Sequence, residues 1–393
     1  MPRSDGGRWV SPILLTLAVV DSAGYSVIGP VLPALHASTG ASLTTLSLLA
    51  ACFPVAMLVG LFVAGRLAHD GRTRTALLLG LVLLLSSSLL FGFTTDLVVL
   101  FVARSAMGVG SGCLWIGLTL RTLEYWPGEE YLRMSRVYAG YSIGSLVGPL
   151  LAALGGTRAP FVAYALVLGA CVPLVLALPV PVPTKDPALR RDRAVLRTSG
   201  FWFGALAILF AMTTFGTLDG VLPLHLADHW SQSQIGVAYA LSAVVVAVSS
   251  AAAGHSRPLV ALGVGAVGVV GGIALVGATG TVAFWAAALL LVGLGAGAAE
   301  TGATGVLLDN VPRERIVSAM VGWSQVGILG YFLAPTLGGL VVTYLGFGWL
   351  GLVPLAALVA IVPAGLLASR AAARAVSSTG PSPASGPFPL IME

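Results

Sequence analysis

Charged residues are scarce in this chain. Asp, Glu, Lys and Arg make up 9% of its 393 residues, against about 25% in soluble domains. An ordinary water-soluble globule is excluded. Cysteine is nearly absent as well: Cys52, Cys113 and Cys171 all fall in apolar runs, too few and too deep for a disulfide framework. No long polar block exists beyond one stretch of about twenty residues, so there is no room for a sizeable soluble domain, and no clustered acids, histidines and nucleophiles suggest an enzyme. Nucleotide binding is unsupported too, because the glycine runs around Gly108 and Gly293 lie in apolar segments with no strand before them.

What the chain does contain is hydrophobic length. Hydrophobic residues make up 57% of it, and the mean hydropathy is +0.96. A bilayer crossing takes about 20 apolar residues. Twelve such stretches are present, near 11–35, 43–66, 75–95, 97–121, 134–156, 159–180, 201–226, 233–254, 258–278, 281–308, 316–345 and 347–368. With the N-terminus in the cytoplasm, eighteen of the twenty basic residues fall on cytoplasmic segments; only Arg158 lies outside and Arg104 within a span. That bias fits the positive-inside rule and checks the count, because one missed crossing would scramble every later loop. Both termini are therefore expected in the cytoplasm. The net charge of +5 reports this topology and gives no support to nucleic-acid binding. The first apolar run follows basic residues as a signal peptide would, but its length favours an uncleaved helix.

The segment from 181 to 200 divides the crossings six and six, and the halves repeat. Val31-Leu32-Pro33 recurs 190 residues later as Val221-Leu222-Pro223, and Gly65 recurs 189 later as Gly254. Gly108, Gly110, Gly112 and Gly117 match Gly293, Gly295, Gly297 and Gly302, each 185 later. Pro127 and Glu129 match Pro312 and Glu314 at the same offset, while Gly144 and Pro149 match Gly330 and Pro335, 186 later. Ordered matches in register indicate a duplicated six-helix unit, as in transporters whose halves rock about a central site. The expected fold is an all-α membrane protein of twelve transmembrane helices in two pseudo-symmetric six-helix bundles. Its parts are a bundle over 1–180, a cytoplasmic linker over 181–200, a bundle over 201–370, and a disordered tail over 371–393 rich in Pro, Ser and Gly.

The stretch Gly140-Tyr141-Ser142-Ile143-Gly144 satisfies the G-x-S-x-G pattern of serine hydrolases. That elbow needs a strand before it and an acid and a His nearby, and none is in reach. Gly140, Gly144 and Gly148, four apart, instead form a flat stripe on which a neighbouring backbone can approach closely, and Pro149 removes one helix hydrogen bond. A static packing stripe is the plainer alternative.

These residues resemble the major facilitator superfamily, in particular the twelve-span drug:proton antiporters. Gly144-x-x-x-Gly148-Pro149 looks like that group's antiporter motif, with Ala152 and Ala153 where a glycine pair is common. Asp21, followed by Pro30 and Leu32-Pro33, is similar to the aspartate-proline pattern of several drug and amine exporters. Arg104 with Gly108 and Gly112 resembles the buried-arginine motif, with Met107 where a Gln is common. The run from Gly65 to Arg74, including Asp70, Gly71 and Arg72, looks like the gating loop between spans 2 and 3. It is one residue short and carries His69 where an Asp usually stands.

Ionisable groups at mid-membrane are expensive and therefore usually have a task. At 1.5 Å per residue Asp21 and Arg104 come out at similar depths, close enough to pair. An acid beside an arginine in low dielectric suits a group that loads and releases a proton. Glu300 nearer the cytoplasm and Asp219 nearer the outside extend the ladder of candidate proton-coupling groups; for each, an ordinary ion pair or a helix-end position is the alternative. The resemblance places Tyr25, Met107, Trp115, Tyr141, Phe215, Trp323, Gln325 and Tyr331 around a substrate cavity, a lining suited to amphipathic organic molecules. His225 and His229, with Asp228, are spaced for a metal but lack a further ligand, so no metal or cofactor is expected. The overall expectation is proton-coupled efflux of drugs or amphipathic metabolites across the inner membrane by a monomer working by alternating access. Proton-coupled import of a small organic solute is the alternative.

Overall fold

A computed structural model describes residues 7–179, 193–220, 222, 232–278 and 282–378. Within them the chain is helical almost throughout. Backbone polar groups have no water to bond with in hydrocarbon, and a helix satisfies them internally. The helices are α1 (Gly7–Ser26), α2 (Ile28–Thr39), α3 (Leu43–His69), α4 (Thr73–Phe93), α5 (Leu97–Tyr125), α6 (Glu130–Ala152), α7 (Arg158–Ala177), α8 (Ser199–Gly220), α9 (Gln232–Ala253), α10 (Pro258–Ala278), α11 (Val282–Asn310), α12 (Ile316–Leu345) and α13 (Leu352–Ser378).

Ten crossings among the described residues are long and apolar enough to span a bilayer outright, with α1 and α2 counting as one, Trp9–Leu32. The first crossing, expected as one continuous helix, breaks at Val27. Pro30 has no N–H for the Ser26 carbonyl, and the Ser26 hydroxyl donates to the carbonyls of Ser22 (3.1 Å) and Gly144 (3.4 Å). Helix α6, with Glu130, Arg133 and Arg136 in its first turns, and α9, apolar only over Val237–Ala253, complete the twelve.

The repeat seen in the sequence reappears as repeated packing. In the first half α1 packs on α6, α3 on α5 and α4 on α5; in the second, α8 packs on α12, α9 on α11 and α10 on α11. The contacts match position by position. A methyl group at Gly108 would lie 2.2 Å from the Phe53 carbonyl oxygen, and one at Gly293 would lie 2.9 Å from that of Ser242, with 53 and 242 standing 189 apart. At Gly112 and Gly297 the neighbours are the Met57 and Val246 oxygens (2.4 and 2.5 Å), again 189 apart; at Gly144 and Gly330 they are those of Val19 and Leu209 (2.3 and 3.2 Å), 190 apart. Glycine at these places sets the distance between helix backbones.

Two boundary expectations change. Residues 193–197 form a short 3₁₀ turn and α8 begins at Ser199, so the linker is structured at its C-terminal end. Helix α13 continues to Ser378, well into the segment expected to be a disordered tail. The Asp219 side chain, and His225, Asp228 and His229, lie outside the described residues.

Candidate functional site: a cavity between the halves

Helices from both halves enclose a central cavity of ≈ 190 Å³. From the first half come Asp21, Ser22 and Tyr25 on α1, Phe53, Pro54 and Met57 on α3, Ser111 and Trp115 on α5, and Tyr141 on α6. From the second come Ile208 and Met212 on α8, Glu300 on α11, and Trp323, Ser324, Gly327, Ile328 and Tyr331 on α12. The i, i+4 spacings 21/25, 111/115, 208/212 and 323/327/331 put each group on one helix face. Counted along the helices, these residues stand roughly 10–24 Å in from the end that carries the arginine-rich loops.

Asp21 is 1% exposed. Its Oδ2 accepts a hydrogen bond from the Tyr141 hydroxyl, while Oδ1 has no hydrogen-bond partner among the described residues. An acid that lines the cavity with one oxygen bonded and the other without a partner among the described residues has acceptor capacity left for a proton. The glycine stripe of α6 explains how Tyr141 reaches it. Methyl groups at Gly140, Gly144 and Gly148 would fall 2.6, 2.3 and 2.1 Å from atoms of Leu15, Val19 and Ser26. The stripe's partner is therefore α1, the helix of Asp21.

The expected pairing of Asp21 with Arg104 does not form. Arg104 is fully buried and donates to the carbonyls of Gly24 (3.1 Å) and Tyr25 (3.2 Å), with its guanidinium 4.3 Å from the Phe53 ring centroid. The break between α1 and α2 is the reason: it leaves carbonyls one turn beyond Asp21 in need of donors, and a planar fork supplies two.

Glu300 faces the same cavity from the opposite half. Around it Tyr138 and Thr304 share a hydroxyl contact of 2.6 Å across the halves, and Thr304 also donates to the Glu300 carbonyl (3.2 Å). Trp115 Nε1 donates across the halves to Ser324 Oγ (3.0 Å) and meets the Tyr141 ring edge-on at 5.0 Å. Tyr25 and Tyr331 close the far side with hydroxyls 2.5 Å apart.

Three expected lining residues stand elsewhere. Met107 is fully buried in the core, one turn before Ser111. Phe215 sits beyond the lining, almost one turn past Met212, and Gln325 is two positions from Trp323, hence on the opposite face of α12. Conversely, Phe53, Met57, Ser111, Ile208, Met212 and Ser324 line the cavity without having been singled out, and Tyr138 joins the halves beside it; helical-face spacing from Asp21 and Trp323 is the signal that would have found some of them.

At the end bearing the basic loops the halves meet again. Gly65 lies against Val321, where a methyl would come 2.7 Å from its Cγ2. A polar cross-half contact of the gating loop comes from His69, whose Nε2 is 3.3 Å from Ser318 Oγ. Asp70 is exposed and caps α3 through its backbone N–H; Gly71 takes φ +71°; Arg74 donates to the Leu176 carbonyl of its own half. Arg313 pairs with Glu130, and the Tyr131 hydroxyl donates to the Ala253 carbonyl (2.9 Å).

The sequence profile of the Major Facilitator Superfamily matches residues 14–321. The chain belongs to this superfamily. It is similar to Multidrug resistance protein 1 of Bacillus subtilis, with 26% identity over 174 residues, 43% of this chain and 45% of that protein. It is also similar to the Synaptic vesicular amine transporter of Rattus norvegicus, with 26% identity over 170 residues, 41% of this chain and 33% of that protein. The chain thus matches less than half the length of these relatives. Among solved structures, the human organic anion transporter MFSD10 (TETRAN) superposes with a TM-score of 0.77 at 15% identity, covering 92% of this chain and all of that one. At that identity the likeness is one of fold.

Proposed function

We propose that this superfamily member exports amphipathic organic molecules, drugs or metabolites, in exchange for protons, with Asp21 as the exchanging group. The observation that carries the reading is the central cavity itself: an aromatic chamber between two repeated halves, holding a buried carboxylate that has, among the described residues, one oxygen without a partner and no salt bridge. Relatives named for multidrug resistance and for vesicular amine transport favour organic solutes of this size. In the proposed cycle substrate enters from the cytoplasm or inner leaflet of the cell membrane, and a proton reaching Asp21 from outside displaces it as the halves rock. Glu300, across the cavity, is a second acid the same proton or substrate can meet, and Asp219 a third candidate on α8.

One proton moving down a total driving force of about 150 mV supplies roughly 3.5 kcal/mol, enough for a solute gradient of a few hundred fold. The test is transport by protein reconstituted in liposomes under an imposed pH gradient. Asp21→Asn keeps the shape and the acceptor for Tyr141 but cannot ionise, so it is expected to bind substrate and lose pH-driven accumulation. Undiminished pH-driven flux through that variant overturns the assignment, and accumulation running with the proton rather than against it would make the protein an importer.

A further inference from the structure

Away from the central cavity a second one, also of ≈ 190 Å³, opens where α1, the end of α5 and the start of α6 meet. Its head is polar. Arg133 is held by Glu129, to whose Oε2 it donates twice (2.9 and 2.6 Å), and lies 4.7 Å from the Trp126 ring centroid. Arg136 lines the cavity, is exposed, and makes no hydrogen bond or ion pair among the described residues. The Ser11 hydroxyl beside it likewise has no partner there. Its foot is apolar: Leu14, Leu15, Val137, Ala139 and Ile143. Leu15 and Ile143 are 37% and 44% exposed, so the groove opens on the outer surface of the bundle.

Charge and length together specify an occupant. Arg133, Arg136 and Glu129 sum to one positive charge, and two guanidiniums with a hydroxyl donor suit a single phosphodiester. From Arg133 to Ile143 the groove runs ten residues along α6, roughly 15 Å at 1.5 Å per residue, which is half of a hydrocarbon core about 30 Å thick. A tryptophan at the head matches the membrane–water interface. A free phosphate would use the head and leave the apolar foot unexplained.

We infer that this groove binds one anionic phospholipid of the basic-side leaflet, with its phosphodiester on Arg136, Arg133 and Ser11 and one acyl chain along α6 as far as Ile143. The site lies on the α1–α6 seam, so the lipid would brace the two helices that carry Asp21 and Tyr141.

The test is lipid retention by purified full-length protein, read by native mass spectrometry after incubation with dioleoylphosphatidylglycerol, dioleoylphosphatidylcholine or inorganic phosphate. One phosphatidylglycerol is expected to stay bound in preference to phosphatidylcholine. Arg136→Gln should weaken its retention about five-fold, the effect of one basic residue at a lipid surface. Ile143→Trp, which fills the foot and leaves the arginines in place, should weaken it too; both positions are exposed, so folding is not at stake. Equal retention of the two lipids, wild-type retention in both variants, or displacement of the lipid by inorganic phosphate would each overturn the inference.

Discussion

Gly144→Ala is the sharpest test of how the cavity acid is positioned. The added methyl would lie 2.3 Å from the Val19 carbonyl oxygen and 2.7 Å from the Ser22 Cβ, both on α1. An ordinary contact begins near 3.4 Å, so about 1 Å of separation must be found. The nearer obstacle is backbone, which cannot swing away as a side-chain tip can. Overpacking of this kind costs about 1–3 kcal/mol, equivalent to a shift of roughly five- to 150-fold in the equilibrium between native and displaced α6 packing. Tyr141 lies on α6 one turn away, so the displacement weakens its bond to Asp21. Two controls sharpen the result. At Gly140 the nearest atom is the Leu15 Cδ1 tip (2.6 Å), with backbone only at 3.3 Å, so Gly140→Ala should be mild; at Gly29 nothing lies within 4 Å, so Gly29→Ala should be neutral. Thermal unfolding of each purified variant, followed by size-exclusion fluorescence, and pH-driven transport in liposomes give the order. A Gly144→Ala protein as stable and active as wild type, or a Gly29→Ala protein equally damaged, would refute the account of the stripe.

Arg104→Met removes both donors to the Gly24 and Tyr25 carbonyls, at about 1–3 kcal/mol for each buried acceptor left alone. Thermal unfolding should show a large loss, with Arg104→Lys intermediate because one ammonium replaces a fork; a Met variant of wild-type stability would argue against the stapling role. The Arg313–Glu130 pair joins the halves at the basic end, with side-chain exposures of 67% and 18%. It is worth at most about 1 kcal/mol, so Arg313→Gln should lower cross-linking between cysteines placed at Tyr131 and Ala253 by no more than about five-fold, and Arg313→Glu, which adds like-charge repulsion of similar size, by more. The double swap with Glu130→Arg should restore it, and high salt should erase the difference; a swap that restores nothing shows that the pair does not help hold the seam.

Periodic features were the readable ones. The crossings follow from runs of apolar residues, and the repeat from glycines whose spacing is fixed by backbones in contact: Gly108 with Phe53 in one half, Gly293 with Ser242 in the other. What the sequence did not reveal depends on local breaks. Depth along two helices placed Asp21 and Arg104 level with each other, but depth says nothing about which way a side chain turns or what else needs donors. The interruption at Val27 supplied those competing acceptors. Similarly, the resemblance placed Gln325 at the cavity, yet two steps from Trp323 carry it to the far face of α12. The gating loop shows the same limit. The resemblance points to Asp70, while a polar cross-half contact comes from His69, the residue in the position where an Asp is usual.

On the proposed mechanism, proton loading at Asp21 is linked to rocking of the halves without a long pathway. Helix α1 is held on one side by the Arg104 fork from α5 and on the other by the glycine stripe of α6, so it moves with its half as a unit. Tyr141 faces two ways: its hydroxyl donates to Asp21, and its ring edge bears on Trp115, whose N–H bonds Ser324 in the other half. When the carboxylate ionises or takes a proton, the Tyr141 hydroxyl meets a different partner, and the next contact in line is one that crosses the seam. Coupling of this kind requires an element with two arrangements that both events bias. The halves themselves are that element on the proposed mechanism, because the polar contacts joining them around the cavity are single hydrogen bonds, each worth about 1 kcal/mol. Contacts that weak can be exchanged when a proton binds one arrangement more tightly than the other, whereas the tightly interleaved backbones within each half are not at risk.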